Sequence, residues 1–340
     1  MHPHRRILLL ALWCAIAAPA QALDAGRDDV RAFIGEMAEK HGFAADELGL
    51  VFGKTEARPS IIALMTRPAE KALPWHEYRA RFLTERRIAR GVETARLQSD
   101  ALQRAAERGV PAPVLLSIVG VETFYGEITG KHRVIDALAT LAFDYPPRSP
   151  FFRNELEQFL LMSREEALDP LGPQGSYAGA MGIPQFMPSS FRAYAVDGDG
   201  DGRRNLWASW ADVFASVANY LREHGWRAGE PVMAGADVTD ADLAGIEFGK
   251  VALTETVGSL RARGVRFDTA LPADAPAVLL QLAGRDGPEH RVGFTNFYAI
   301  TRYNRSQLYA SAVSDLADAI AAASAASAPA APAAPSPPAG

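Results

Sequence analysis

Cysteine is almost absent from this chain: Cys14 is the only one, and it lies inside the first apolar run. Disulfides are thereby excluded from any mature form lacking that run, as is a cysteine-ligated zinc site. The seven histidines are scattered and form no metal-ligand spacing. Long apolar runs are missing too, since Ile7–Ala18 is too short to span a bilayer and no later run is long enough. Arg5 and Arg6 before this run, with Ala20-Gln21-Ala22 after it, form a secretory signal over residues 1–22. Bulky Trp13 precedes Cys14 where a bacterial lipoprotein signal needs a small residue, so no lipid anchor is expected. Cleavage after Ala22 leaves 33 basic against 40 acidic residues, a net charge of −7. That balance gives no basic stripe for nucleic acid.

The other end is also low in bulk. From about Ala321 only Ala, Ser, Pro and a final Gly remain, and residues 323–340 are expected to form a disordered Ala/Pro tail. Residues 23–108 carry helical stripes through Val30, Phe33, Ile34 and Met37, through Ile61, Ile62 and Met65, and through Tyr78, Phe82 and Leu83. Pro59, Pro68 and Pro74 punctuate them. Further helices are predicted over Phe151–Met162 and after Trp210. Segments shorten between 229 and 292, where Val278–Leu282 reads as a strand and Gly284-Arg285-Asp286-Gly287 turns it toward a second near Arg291. Helical pattern resumes over 293–322. The expected class is α+β, mainly α: an N-terminal helical lobe, a core over 109–228 and 293–322, and a small β-containing subdomain inserted at 229–292.

Gly120-Val121-Glu122-Thr123-Phe124-Tyr125-Gly126 is the densest chemical signal. Pro111 suits a helix start, and Leu115, Ile118, Glu122 and Tyr125 then share one helical face. A carboxyl on a buried face loses hydration, its pKa rises, and it can hold a proton near neutrality for a leaving oxygen. The same placement suits a satisfied core glutamate, and periodicity alone does not separate the two. Gly91-Val92-Glu93-Thr94 repeats the four letters among Arg86, Arg87, Arg90 and Arg96. That copy reads as a solvated face on which glutamate pairs with arginine.

Two further stretches carry chemistry. Gly175 to Ser190 is rich in small residues that let backbone approach a ligand; Ser176 and Gln185 offer hydrogen bonds, and Tyr177 and Phe186 offer flat faces for a sugar. Its alternative is a tight loop between helices, with Ser189 or Ser190 as a cap. Asp197-Gly198-Asp199-Gly200-Asp201-Gly202-Arg203 has oxygens at positions one, three and five and glycine at six, the opening of a calcium loop. Position twelve is Ala208 rather than glutamate; Asp212 is the nearest later carboxylate, although Ser209 and Asp212 also read as a capping box. Structural Ca2+ is therefore expected, and no organic cofactor. Without a cation the aspartates would repel one another.

Together these stretches resemble the lytic murein transglycosylase B family. Ile118–Gly126 looks like its catalytic helix and Ser176–Ser190 like its glycan loop. Asp197–Trp207, Ser216–Tyr220, His224-Gly225-Trp226, Asn296-Phe297-Tyr298 and Tyr303-Asn304 follow in the family's order. The resemblance spans the chain up to the tail. It implies a lysozyme-like core and cleavage of the β-1,4 bond between N-acetylmuramic acid (MurNAc) and N-acetylglucosamine (GlcNAc) in peptidoglycan, without water, to 1,6-anhydro ends. Glu122 would be the sole acid/base. Arg148, Ser176, Gln185, Tyr303 and Asn304 would contact substrate; only Arg148 carries over where the family often has adjacent arginines, because Pro147 precedes it. Asp197, Asp199, Asp201, Arg203 and Asp212 would form an EF-hand-like calcium site. The loop is one residue longer than the family's before the helix at Asp212. Export to the periplasm is expected from the signal over residues 1–22, and a monomer acting on peptidoglycan glycan strands, open to wall synthesis or remodelling partners, is expected with it.

The residues agree on one point: ordinary glycosidases flank the bond with two carboxylates. Glu127 should face elsewhere, and Asp136 and Asp144 lack the apolar context of Glu122. The competing readings are a goose-lysozyme-like hydrolase, with the same acid and water as nucleophile, and a non-catalytic wall-binding protein.

Overall fold

The computed structural model describes residues 21–66 and 73–327. Most of the predicted signal therefore lies outside the described residues; Gln21–Ala22 forms a short strand against Glu56–Ala57. The first helix, Asp28–His41, shows why these segments coil. Asp28 and Asp29 sit at its positive end, Lys40 and His41 at its negative end, and Gly42 closes it at φ +66°. Val30, Phe33, Ile34 and Met37 are its buried residues, the predicted stripe.

Helices Ala45–Gly53, Pro59–Thr66, Trp75–Phe82, Glu85–Leu97 and Ser99–Ala106 follow. Their apolar residues do not form a separate core. Apart from helix Trp75–Phe82, whose Trp75, Tyr78 and Phe82 pack with Leu282, Leu308 and Ala312, they join one continuous cluster from Leu23 to Ile320, so packing marks no break at the expected boundary near residue 108. Within it, Ala112–Thr123 packs against Glu85–Leu97, Ser99–Ala106 and Gln307–Ser327. Val114 through Gly120 are all buried, so this helix is covered on every side rather than along one stripe.

The segment after Trp226 forms a four-stranded antiparallel sheet in the order Met233–Ala236, Pro288–Gly293, Pro276–Ala283, Glu255–Thr256. Leu280 pairs with Arg291, which confirms the hairpin read from Gly284–Gly287. Its two faces serve different cores. Val278 and Leu280 join the main cluster, whereas Ala277, Leu279 and Val292 pack with Val257, Leu260 and Phe294. Coverage on both faces explains an apolar run without alternation.

Three boundaries differ from expectation. Pro111 is the N-cap, not the first residue, of its helix, and that helix stops at Thr123, so Tyr125 lies beyond it. The last helix continues to Ser327, five residues into the expected tail. Alanine is the best helix former, and no proline interrupts until Pro329. Among the described residues no helix is long and apolar enough to cross a membrane.

Candidate active site

The Ala112–Thr123 helix ends in an uncommon way: Phe124 and Tyr125 both take left-handed backbone angles, φ 52° and 58°. Their N–H groups return to Gly120 O and Val119 O at 3.2 Å each. Thr123 fixes the turn from the other side, donating its hydroxyl to Ile183 O at 2.8 Å and accepting from Gly126 N at 3.0 Å. Glu122 is thus held at a rigid helix end, tied to the small-residue loop.

Glu122 is half-buried. Burial pushes its carboxyl up to about 7, and the one opposing influence is a hydrogen bond from the Tyr309 hydroxyl to Oε1 at 2.6 Å. Tyr78 and Tyr303 also stand near enough for the Glu122 charge, after burial, to raise their phenols. Among the described residues no basic side chain pairs with Glu122. An aromatic cage with one hydroxyl donor leaves Oε2 for a proton.

Three other carboxyls are more deeply buried, Asp136, Glu155 and, in the aspartate loop, Asp212. Asp136 has no exposed surface, correcting the expectation that it lacks apolar context. It is neutralised by Arg58 at 3.1 Å and Arg133 at 2.8 Å, and accepts Glu56 N. Glu155 accepts both Ser189 N at 2.9 Å and Ser189 Oγ at 2.7 Å, and so caps helix Pro188–Tyr194. Neither Ser189 nor Ser190 is that cap, as Met187 occupies the N-cap position. Glu127 pairs with Arg86 and Arg90. Fixed partners hold these groups in structural roles; Glu122 alone keeps an open oxygen.

The small-residue loop is both wedge and wall. Gly179 and Gly182 have positive φ, and a Cβ would come within 2.4 Å of Leu138 Cδ2 or Leu206 O. A cavity of about 560 Å³ is lined by Glu127, Ile128, Lys131, Ser176, Tyr177 and Gln185. Ser176 Oγ accepts from Ala178 N and Ala180 N, and Gln185 Nε2 donates to Thr129 O and Gly182 O. Phe186 is buried against Tyr220 and Tyr303, so it offers no sugar platform, while Tyr177 is exposed. Tyr303 donates to Pro184 O at 2.6 Å, and Asn304 is exposed just past its helix. Arg148 lies over the Phe151 and Phe152 rings, with no hydrogen bond to the Glu122 group.

Residues 25–318 match the family described as Transglycosylase SLT domain. Membrane-bound lytic murein transglycosylase B of Escherichia coli (strain K12) is 40% identical over 305 residues, covering 87% of this chain and 83% of its own. The chain belongs to the SLT family of lytic transglycosylases. Catenated lytic transglycosylase SltB1 from Pseudomonas aeruginosa superposes with TM-score 0.85 at 49% identity, covering 88% of this chain and 99% of that one. Escherichia coli Slt35 in complex with calcium gives TM-score 0.81 at 40% identity, over 90% and 97%.

In this lytic transglycosylase the aspartate loop brings oxygens of Asp197, Asp199 and Asp212 within 4.8 Å of one another. Asp212 is buried, and that burial, with Asp199 and Asp197 close by, pushes its carboxyl up. Ser209 caps the following helix through Asp212 N and donates to Asp199 Oδ2 at 2.7 Å, but the expected capping box is only half made, because the Asp212 carboxylate turns to Gly198 N and Asn205 N instead of Ser209 N. Asp201 and Arg203 stand outside the trio: Asp201 Oδ1 accepts Arg203 N. The donor set is hard oxygen with clustered negative charge, which suits Ca2+. The transglycosylase residues that sequence reading missed are Tyr309 and Tyr78. Their only signal was a hydroxyl on an otherwise apolar helical face.

Proposed function

We propose that this lytic transglycosylase cleaves the MurNAc-β-1,4-GlcNAc bond of peptidoglycan with Glu122 as both acid and base. The observation that carries the reading is a single, cation-free carboxyl poised near neutrality by burial on one side and the Tyr309 hydroxyl on the other. Protonated Glu122 gives its proton to the glycosidic oxygen as the C1–O4 bond breaks. The resulting carboxylate, steadied by Tyr309, takes the proton of the muramoyl 6-hydroxyl as O6 closes onto C1. Atoms balance without water, and Glu122 ends protonated. A general acid is worth about 10²–10⁴-fold. Glu122→Gln should therefore clear no zone in a peptidoglycan zymogram; clearing at the normal rate overturns the assignment.

Ser176, Gln185, Tyr303, Asn304 and Arg148 are proposed as glycan or stem contacts. The free Oε1 of Gln185 and the exposed amide of Asn304 support two of them. For calcium, Asp197, Asp199 and Asp212 would hold the ion, with Asp201 and the Arg203 carbonyl completing the set. Bound there, it supplies charge neutralisation that joins the loop to helix Trp210–Glu223. Chelation should lower the melting temperature in proportion to the ligand free energy lost, about 2.7 kcal/mol at a hundredfold excess over Kd. An unchanged melting temperature removes the metal role. Export to the periplasm, read from the signal-like N-terminus, and action as a monomer complete the proposal.

A further inference from the structure

The hydroxyls around Glu122 come from separate elements, and two of those elements, the helices of Tyr78 and Tyr309, meet at one distant carboxylate. Tyr78 is on helix Trp75–Phe82, Tyr303 on helix Thr295–Tyr303 and Tyr309 on helix Gln307–Ser327. On the last of these, Asp315 Oδ2 accepts Arg79 Nε at 2.6 Å and Arg291 Nη2 at 3.1 Å, while Oδ1 accepts Arg291 Nη1 at 2.5 Å. Arg291 comes from strand Pro288–Gly293, donates to Glu289 and lies 5.1 Å over the Trp75 ring. Trp75 Nε1 closes the circuit by donating to Glu289 Oε2 at 3.0 Å.

Beneath these ions lies a small apolar cluster of Trp75, Leu282 and Ala312, with Tyr78, Phe82 and Leu308 packed against it. Arg79 is the chain neighbour of Tyr78, and Leu308 of Tyr309. The Arg291 and Asp315 side chains are only 13% and 11% exposed, so this pair is little screened. Asp318, whose carboxyl burial and Asp315 raise, lines one cavity with them, and His76 and Arg285 line another with Arg79 and Arg291.

We propose that Asp315 is a positioning residue: through Arg79 and Arg291 it clamps helix Trp75–Phe82 and the hairpin onto helix Gln307–Ser327, and so sets where Tyr309 and Tyr78 stand against Glu122. The inference rests on Glu122 as acid/base, because only then does hydroxyl placement govern the reaction. A clamp of this kind acts on turnover rather than on binding, since the tyrosines steady a charge that forms during the reaction.

The test is steady-state kinetics on soluble glycan strands for Asp315→Asn and the milder Arg79→Gln, whose side chain is 46% exposed. Asp315→Asn should lower kcat about tenfold with KM within about twofold, as small misplacements do. It should also move the alkaline limb of kcat/KM upward by about half a pH unit, because a loosened Tyr309 supports the carboxylate less. Arg79→Gln should shift both in the same direction by less. In a Tyr309→Phe background, Asp315→Asn should add little further shift, the non-additivity expected of residues acting as a unit. Unchanged kcat and pH profile in both variants, or full additivity with Tyr309→Phe, overturns the clamp. If Glu122→Gln stays active, the acid/base reading itself fails, a result separable from either.

Discussion

Gly91-Val92-Glu93-Thr94 and Gly120-Val121-Glu122-Thr123 are the same four letters on two packed helices, and three positions can be compared directly. Both glycines press on one tyrosine: a Cβ would stand 2.6 Å from Tyr125 Oη at Gly91 and 2.7 Å from Tyr125 Cζ at Gly120. Both threonines are buried and donate to a carbonyl four residues back. The glutamates diverge. Glu93 is exposed and bonds Arg90 at 2.6 Å, while Glu122 sits among tyrosines and keeps one oxygen open. Glycine and threonine are therefore parts of a helix contact, and environment alone separates a surface ion pair from an acid/base.

The sharpest way to break this comparison is to neutralise both carboxyls. Glu122→Gln should lower release of anhydro-muropeptides by about 10³-fold or more, and Glu93→Gln should leave it within about twofold. Equal losses would mean that the environments are not what matters.

The second contrast concerns stability. The folded protein holds a proton on Glu122 up to about pH 7, whereas an unfolded glutamate loses it near 4.5. Native Glu122 therefore becomes a growing liability as pH rises from about 4.5 to about 7, and the cost persists above. Glu122→Gln should be more stable than the parent at pH 8 by at most about 3 kcal/mol, and indistinguishable near pH 4. Thermal melts at the two pH values decide it; a gain at acid pH contradicts the sign. Smaller again, Gly91→Ala and Gly120→Ala should each destabilise by about 1–3 kcal/mol through the clash with Tyr125. Urea midpoints check this, and a neutral effect at one site alone would break the symmetry of the pair.

Much of this arrangement was legible in the chain. Apolar context marked Glu122, the Gly284–Gly287 turn marked the hairpin, and the aspartate spacing marked a cluster in which Asp212 joins Asp197 and Asp199. What escaped was long range. Tyr309 reaches Glu122 across 187 residues, and nothing local distinguishes its hydroxyl from that of any half-apolar helix. Asp136 misled in part for the same reason: Arg133 stands three residues away, but Arg58 and the Glu56 N–H come from about 80 residues upstream. The helix Ala112–Thr123 carried no stripe to read because it is buried all round. The final helix runs past the point where composition predicts a tail, because alanine without bulk still favours the helix.

The central claim is that one carboxyl serves as acid and then as base, with the nucleophile coming from the substrate. Mass spectrometry of peptidoglycan digested in H2(18)O tests it most directly. The account predicts 1,6-anhydro-MurNAc ends, lighter by one water than reducing ends and free of label. Reducing ends carrying 18O as the main product would show water as nucleophile and contradict it.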